Sequence, residues 1–161
     1  MNGRTLYTLT GVVDATAAGA PAFVVGRLQG EASQDAAERI RLATKALHGC
    51  RPASLLIAAA AQWSHALGCS SLELVGNSQR IAINAWRRRR ILADNERLWQ
   101  EMGASQGGNG RWRLQSCASR ELDLDSIPSR KRAEARRRQE LLQGLSEGLH
   151  ESMRRAFLPG A

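Results

Sequence analysis

Of the sixteen residues from Pro52 to Leu67, all but Ser54, Gln62, Ser64 and His65 are apolar. A run of this length is too short to cross a bilayer comfortably and is interrupted by polar residues, so it predicts a helix buried in a protein core. Because it is apolar nearly all round, it is expected to be covered on several sides, with Trp63 inside and His65 a satisfied core histidine. The run is entered through His48-Gly49-Cys50-Arg51-Pro52. It is left through Gly68-Cys69-Ser70-Ser71 into the strand-like Leu72-Glu73-Leu74-Val75. A helix that opens on Pro and closes on Gly before a strand implies a sheet for it to lie on.

The flanking segments supply that sheet. Thr5 to Val13 and Ala22 to Gln29 are rich in β-branched and apolar residues around a turn-like Ala17 to Pro21, which reads as a hairpin. Ser33 and Asp35 open a helix whose Ala37, Ile40, Thr44 and Leu47 recur at helical spacing up to Gly49. Strand, helices and strand in this order predict a right-handed crossover with parallel pairing between the Phe23 and Leu74 segments. Further on, Ile81, Ile83, Trp86, Ile91, Leu98, Trp99 and Met102 give an interrupted helical stripe. Gly103 to Gly110 is a loop, Arg111 to Gln115 a short strand, and Pro128-Ser129 a helix start followed by an apolar face at Leu141, Leu142, Leu145, Leu149 and Met153.

The fold class expected is therefore α+β (α/β-like), with a mixed central sheet, an N-terminal hairpin, a buried crossover helix and C-terminal Arg-rich helices. At 161 residues the chain reads as a single domain, 1–161. Within it, 1–30 forms the strand hairpin, 31–79 the helix-helix-strand core, and 80–158 an Arg-rich helical and hairpin half. Cys50, Cys69 and Cys117 make no Cys-x-x-Cys pair, which fits free thiols and a cytoplasmic location, and neither a signal peptide nor a transmembrane segment is visible. No zinc spacing, serine triad or Walker sequence occurs, so no metal site is expected.

The net charge of +8 is uneven: residues 80–161 hold 17 basic and 10 acidic groups, against 6 and 5 before them. The second half should face an anion. Arg87, Arg88, Arg89 and Arg90 form one basic block. Arg130, Lys131 and Arg132 with Arg136, Arg137 and Arg138 form another, in the first turns of a helix where the dipole disfavours cations. Charges tolerated there serve either Asp123 and Asp125 nearby or an external polyanion, and the two blocks are the anion-binding candidates, for a nucleic acid or another anionic partner. Trp86 and Trp99 flank the first block in a way that suits single-stranded nucleic acid, but both lie on the apolar stripe, where core anchoring explains them better. A GC-rich genome accounts equally for the preference of Arg over Lys.

The entrance itself is the candidate small-ligand site. Free N–H groups at Ala53 and Ser54 in the first helical turn that Pro52 opens, with Arg51 beside them, suit a phosphate. A plain helix–helix corner, with Gly49 capping one helix and Pro52 starting the next, accounts for the same residues. Gln29 and Gly30 at one strand end, and Asn77 and Ser78 beyond the next, fall on the same rim of a crossover fold and would converge with Gly49 and Arg51 on one pocket. Turn chemistry is the alternative for Gly76-Asn77-Ser78. His48 is the weak candidate for an acid or base. The loop Gly107-Gly108-Asn109-Gly110 opens a strand and not a helix, so it reads as a hairpin loop and not as a phosphate loop.

Several pieces in order resemble the VirK/YbjX family of bacterial proteins. They are Leu28-Gln29-Gly30; Thr44-Lys45 with Leu47-His48-Gly49; Arg51-Pro52; the Arg-rich stretch reaching Ala93-Asp94 and Leu98-Trp99; and Ile127 to Ala133 followed by Arg136 to Arg138. Asn95 stands where that family tends to have Tyr, as does Ala135. Family members are generally longer at the N-terminus, so the chain resembles their C-terminal portion and reads as a truncated copy. The resemblance implies a link to virulence or envelope-stress resistance, without an established biochemical activity. A fainter similarity, carried by strand, Gly-Arg helix entrance, long helix, strand and the helix ending Leu98-Trp99-Gln100-Glu101-Met102-Gly103, is to the core of GNAT acyltransferases. It departs in the extra helix from Ser33 to Leu47 and in lacking the usual Gln/Arg-x-x-Gly-x-Gly.

Two functional readings follow. In the first, the chain is a GNAT-like acyltransferase: Arg51 and the first turn Pro52–Ser54, through its free N–H groups, hold a phosphate-containing cofactor such as acyl-coenzyme A, Gln29 and Asn77 orient the acyl carbonyl, and His48 is the base. In the second, it is a non-enzymatic regulator that binds nucleic acid or an anionic partner through the Arg clusters, or an inactive truncated copy.

Overall fold

The computed structural model describes residues 5–15, 20–79, 95–115 and 127–157. Strands β1 (Tyr7–Asp14), β2 (Ala22–Gly30), β3 (Ser71–Leu74), β4 (Ser105–Gln106) and β5 (Trp112–Gln115) form one sheet in the order β1-β2-β3-β5-β4. Among the described residues four helices accompany it: α1 (Ala36–Ala46), α2 (Pro52–Ala66), α3 (Asn95–Glu101) and α4 (Ser129–Phe157), with a short 3₁₀ turn at Asn77–Gln79. The class is α+β with a mixed sheet. β1 and β2 make the expected antiparallel hairpin, broken by one bulge: Thr10 faces Arg27 and Gly11 faces Val25, which leaves Gly26 as the extra residue. β2 and β3 are parallel, Phe23 opposite Leu72 and Val25 opposite Leu74, while β3–β5 and β5–β4 are antiparallel.

Register explains the core. Phe23 and Val25, Leu72 and Leu74, and Trp112 with Leu114 stand on one face, because opposite residues in a ladder share a side. α2 lies on that face with Ala53, Ile57, Ala60 and Ala61, the spacing of one helical stripe. Trp99, only 1% exposed, enters the same core from α3, as its place on the apolar stripe implied; Trp86 lies outside the described residues. At its far end α2 is tied to β3 directly. The wholly buried Ser64 donates its Oγ–H to the Ser71 carbonyl at 3.2 Å, and the Cys69 amide donates to the Ser64 carbonyl at 2.9 Å.

Two expectations for α2 are corrected. Trp63 is 44% exposed, its ring tilted against Phe23 at a centroid distance of 5.9 Å, and His65 is exposed and not a core histidine. At about 100° per residue these two fall to either side of Ser64, which sits in the middle of the sheet-facing arc. An apolar composition all round therefore did not mean burial all round; the alanines at 58 and 59 stay half-exposed as well. In α1 the buried position is Ala36, and Ala37 is exposed, while Ile40, Thr44 and Leu47 are half-buried as the spacing suggested. The Gly-rich loop is the hairpin turn between β4 and β5, closed by Gly107 N–H to Arg111 O at 2.7 Å and turned through Gly110 at φ 77°.

The opposite face of β3 holds a charge cluster. Glu73, 7% exposed, accepts from Arg111 Nη1 at 2.8 Å and from Arg113 Nη2 at 3.0 Å. The Arg111 hydrogen bond, with Arg113 adding to it, holds the Glu73 carboxyl below the usual carboxylate range against the opposing effect of burial. No helix among the described residues is long and apolar enough to cross a membrane.

Glu73 ionises more readily in the folded chain than in the unfolded one. Its contribution is thus fully present above the unfolded-state value and is lost as pH falls through the lower folded-state value. Glu73→Gln should destabilise the protein by roughly 2 kcal/mol at pH 7 through the loss of two charge-assisted hydrogen bonds. The gap to the parent should shrink below about pH 4, as urea unfolding midpoints at pH 7 and pH 3 will show.

Candidate functional site

The corner between α1 and α2 is built from two successive residues in the left-handed region, His48 at φ 51° and Gly49 at φ 79°. Their amides are satisfied inside the turn, His48 N–H to Lys45 O at 3.2 Å and Gly49 N–H to Thr44 O at 2.9 Å, and Cys50 N–H reaches Leu47 O at 2.9 Å. The chain then straightens at Arg51 (φ −66°, ψ 135°), the extended conformation that a following proline demands, and Pro52 takes the first helical position. Among the described residues no side chain caps α2, so the amides of its first turn are left to solvent or a ligand.

A half-open pocket of about 210 Å³ lies against this first turn. Its existence follows from strand lengths. The β2–β3 ladder ends at Val25 opposite Leu74, with a last link from Val75 N–H to Val25 O at 3.1 Å, yet β2 continues to Gly30. The uncovered flank of β2 supplies Leu28 and Gly30, with Tyr7 of β1 directly opposite Gly30 in register. Ile40 of α1 and Arg51 and Ala53 of the entrance form a second wall; Asn95 and Leu98 of α3 form the third. Tyr7 leans over Gly30 so closely that a Cβ there would stand 3.0 Å from its ring.

Polar groups in this apolar pocket are few. Arg51 extends to the rim, where its Nη1 donates to Glu101 Oε2 at 3.0 Å; Arg97 Nε donates to the other oxygen at 3.2 Å. Two guanidinium groups thus meet at one carboxylate on the rim. Asn95 is 5% exposed and its Nδ2 has no hydrogen-bond partner among the described residues. Other buried polar atoms without partners, such as Trp99 Nε1 and Gln62 Oε1, belong to residues that do not line the pocket.

Of the residues read from the sequence as a small-ligand site, the structure brings Gly30, Arg51 and Ala53 together in the pocket. Pro52 and Ser54 share the same helical turn without lining it. Gln29 is exposed, one residue out of phase with the lining Leu28 and Gly30. Gly49 sits on the corner, facing α4, and a Cβ on it would meet Glu134 Oε1 at 2.8 Å. His48 is half-buried at the corner, outside the pocket lining. Asn77 and Ser78 lie in the 3₁₀ turn after β3. That turn is pinned to α3 by Asn77 N–H donating to Glu96 Oε1 at 2.7 Å, and Asn77 does not reach the pocket. Tyr7, Ile40, Asn95 and Leu98 were not singled out as site residues. The hairpin register would have found Tyr7, since it pairs with Gly30.

α4 packs its beginning onto the same corner. Ala135 is 1% exposed, and Arg138 is close enough to Cys50 for its charge to oppose the upward push of burial on that buried thiol. Cys50 is thus a protonated thiol at neutral pH. Arg132 Nε donates to Ile127 O at 2.9 Å. Arg130, Lys131, Arg136 and Arg137 are exposed. The other basic block read from the sequence, Arg87, Arg88, Arg89 and Arg90, lies outside the described residues, so its expected role in anion binding gains no structural support. Among the described residues no group of three or more His, Cys, Asp or Glu side chains is placed to hold a metal ion.

A family model described as "Protein of unknown function (DUF535)" matches residues 1–151. The chain belongs to this family. It is 32% identical over 121 residues to an uncharacterized protein of Haemophilus influenzae, covering 74% of this chain and 40% of that one. It is also 32% identical over 124 residues to the uncharacterized protein YbjX of Escherichia coli, covering 75% of this chain and 37% of the other. The chain therefore spans about two fifths of the length of these curated relatives. The YbjX-type resemblance read from the ordered motifs is thereby shown, and it places the helix entrance within a bacterial family of unknown function. No solved structure matches significantly, so the likeness to GNAT acyltransferases gains no structural support.

The corner makes two opposite predictions. His48→Gly should stabilise the chain by roughly 0.5 to 1 kcal/mol, because a left-handed conformation costs an L-residue about 1–2 kcal/mol and glycine almost nothing. Gly49→Ala should destabilise it by about 1–2 kcal/mol through the same effect and the contact with Glu134. Thermal or urea unfolding of both variants checks the signs.

Proposed function

We propose that the pocket at the start of α2 binds a small molecule with an apolar body and an acidic head, and that the chain is an acyltransferase using a phosphate-containing cofactor such as acyl-coenzyme A. The observation that carries the binding half of this reading is Asn95. A buried amide nitrogen without a partner costs about 1–3 kcal/mol, and a ligand carbonyl or carboxylate in the pocket would relieve that cost. Arg51 and the uncapped first turn of α2 provide the attraction for a negative head, while Leu28, Ile40 and Leu98 suit an acyl portion. At about 210 Å³ the pocket holds a short acyl arm, and a nucleotide would stay outside it, toward Arg51 and Arg97.

The acyl-transfer half comes from the resemblance alone, and so does the cellular setting of virulence or envelope-stress resistance. His48, the base candidate, sits at the corner and not among the lining residues, so the reading stands on binding. Isothermal titration with acetyl-coenzyme A, coenzyme A and inorganic phosphate tests it. Binding of the thioester should weaken about tenfold in Asn95→Leu, the worth of one hydrogen bond of about 1.4 kcal/mol. Arg51→Ala should weaken all three ligands. No heat with acetyl-coenzyme A at millimolar concentration overturns the cofactor; phosphate binding that ignores both substitutions overturns the site.

A further inference from the structure

Two sets of cations stand apart among the described residues. Arg39, Arg41, Arg51, Arg97, Arg111, Arg113, Arg154 and Arg155 each lie within 4.0 Å of a carboxylate oxygen. Arg130, Lys131, Arg132, Arg136, Arg137 and Arg138 form no ion pair among the described residues, although they crowd the first turns of α4, where the helix dipole adds its own positive end. Neither core packing nor pairing with another described residue accounts for the exposed four of them.

Their arrangement on the helix is specific. Arg130 and Arg137 are seven residues apart, so they lie within about 20° of each other around the axis and about 10.5 Å apart along it. Arg132 and Arg136 form a second row, within about 40° of each other, and the two rows diverge by roughly 130°. Between them lies Ala133, small and exposed, about 160° round the helix from the buried Ala135 that anchors α4 to the corner. The cationic face therefore points away from the body of the protein, with Ala133 between two arginine flanks and the exposed Glu140 two turns further along the same line.

We propose that this face of α4 is a docking surface for duplex DNA, the helix seated in the major groove with one arginine row toward the phosphates of each strand. The major groove admits an α-helix and carries phosphates on both its sides, whereas a single strand offers one line of phosphates and would be met by one row. Guanidinium groups match phosphate oxygens in pairs, which suits the five arginines among the six cations. A bilayer surface is the poorer occupant. From Ser129 to Glu140 the helix has no apolar side chain larger than alanine, so it has nothing to insert below the headgroups. The proposal is independent of the pocket, whose residues it does not use.

Fluorescence anisotropy with a labelled 20-base-pair duplex, a single-stranded RNA of equal length and phosphatidylglycerol vesicles, at 50 to 200 mM NaCl, tests it on the whole chain. The duplex should bind, with log K falling against log salt at a slope near −3.6 if about four phosphates are met. The double variant Arg136→Gln/Arg137→Gln should bind about tenfold or more weakly at 100 mM salt, with a slope shallower by about 2 units. The double variant Arg154→Gln/Arg155→Gln removes the same charge from the other end of α4 and should stay within about twofold of the parent. Both pairs are exposed, so unfolding curves matching the parent are expected and control for the fold. Equal losses in the two variants would reduce the effect to bulk charge and overturn the proposal. Absence of saturable duplex binding at 50 mM salt, tighter binding to the RNA, or adsorption to vesicles without duplex binding would each do the same.

Discussion

The packing of α2 onto the parallel pair β2–β3 is the constraint from which most of the molecule follows. A parallel pair cannot be joined by a tight turn, so the chain must leave β2, travel the length of the sheet and return, and α1 with α2 is that return path. Burying Ile57, Ala60 and Ala61 against Phe23, Val25, Leu72 and Leu74 sets the helix on the sheet, and the Ser64 bond to Ser71 sets its distance along it. Once the far end is tied, the near end has no freedom. It must stand beside the last residues of β2, which is where β3 has already ended and the pocket opens.

How much of this was legible in the sequence depended on whether a signal was local. The core helix, its proline start, the hairpin and the parallel pairing of the Phe23 and Leu74 segments rest on contiguous patterns, and all appear as read. What failed needed a third body. Trp63 and His65 sit in the most apolar segment of the chain, yet lie off the arc that faces the sheet, and nothing in composition says where the covering layer stops. The pocket shows the same divide. Gly30, Arg51 and Ala53 line it because the crossover places strand end and helix entrance together, which topology alone implies. Gln29 and Asn77 share that topology but not the pocket, one through strand alternation and the other because Glu96 holds its turn against α3. Asn95, visible in the sequence only as a departure from a family tyrosine, contributes from a helix whose apolar stripe announces its docking through Trp99 but not its place at the pocket.

Charge placement divides the chain along the same line between what folding requires and what it tolerates. Glu73 draws Arg111 and Arg113 onto the face of the sheet opposite α2, and Glu101 gathers Arg51 and Arg97 at the pocket rim; each carboxylate serves two guanidinium groups brought to it by the fold. The first turns of α4 show no such economy. Cations there oppose the helix dipole and one another, and the one carboxylate among them, Glu134, is turned toward Gly49 at the corner. Repulsion of this kind weakens the start of a helix, and burial of Ala135 against the corner is what offsets it.

That compensation has a geometric consequence. A helix whose start is anchored by the buried Ala135 on one side, and charged on the other, presents its cations at a fixed angle to the corner; a helix free in solution would present them at none. Because the corner is held by the left-handed His48–Gly49 turn, and Gly49 has no side chain to push Glu134 away, the orientation of the arginine rows depends on the same two residues that aim Arg51 at the pocket. The turn between α1 and α2 therefore sets both the rim charge of the pocket and the direction of the cationic face, so a change at Gly49 would disturb the two together even though no residue is common to both.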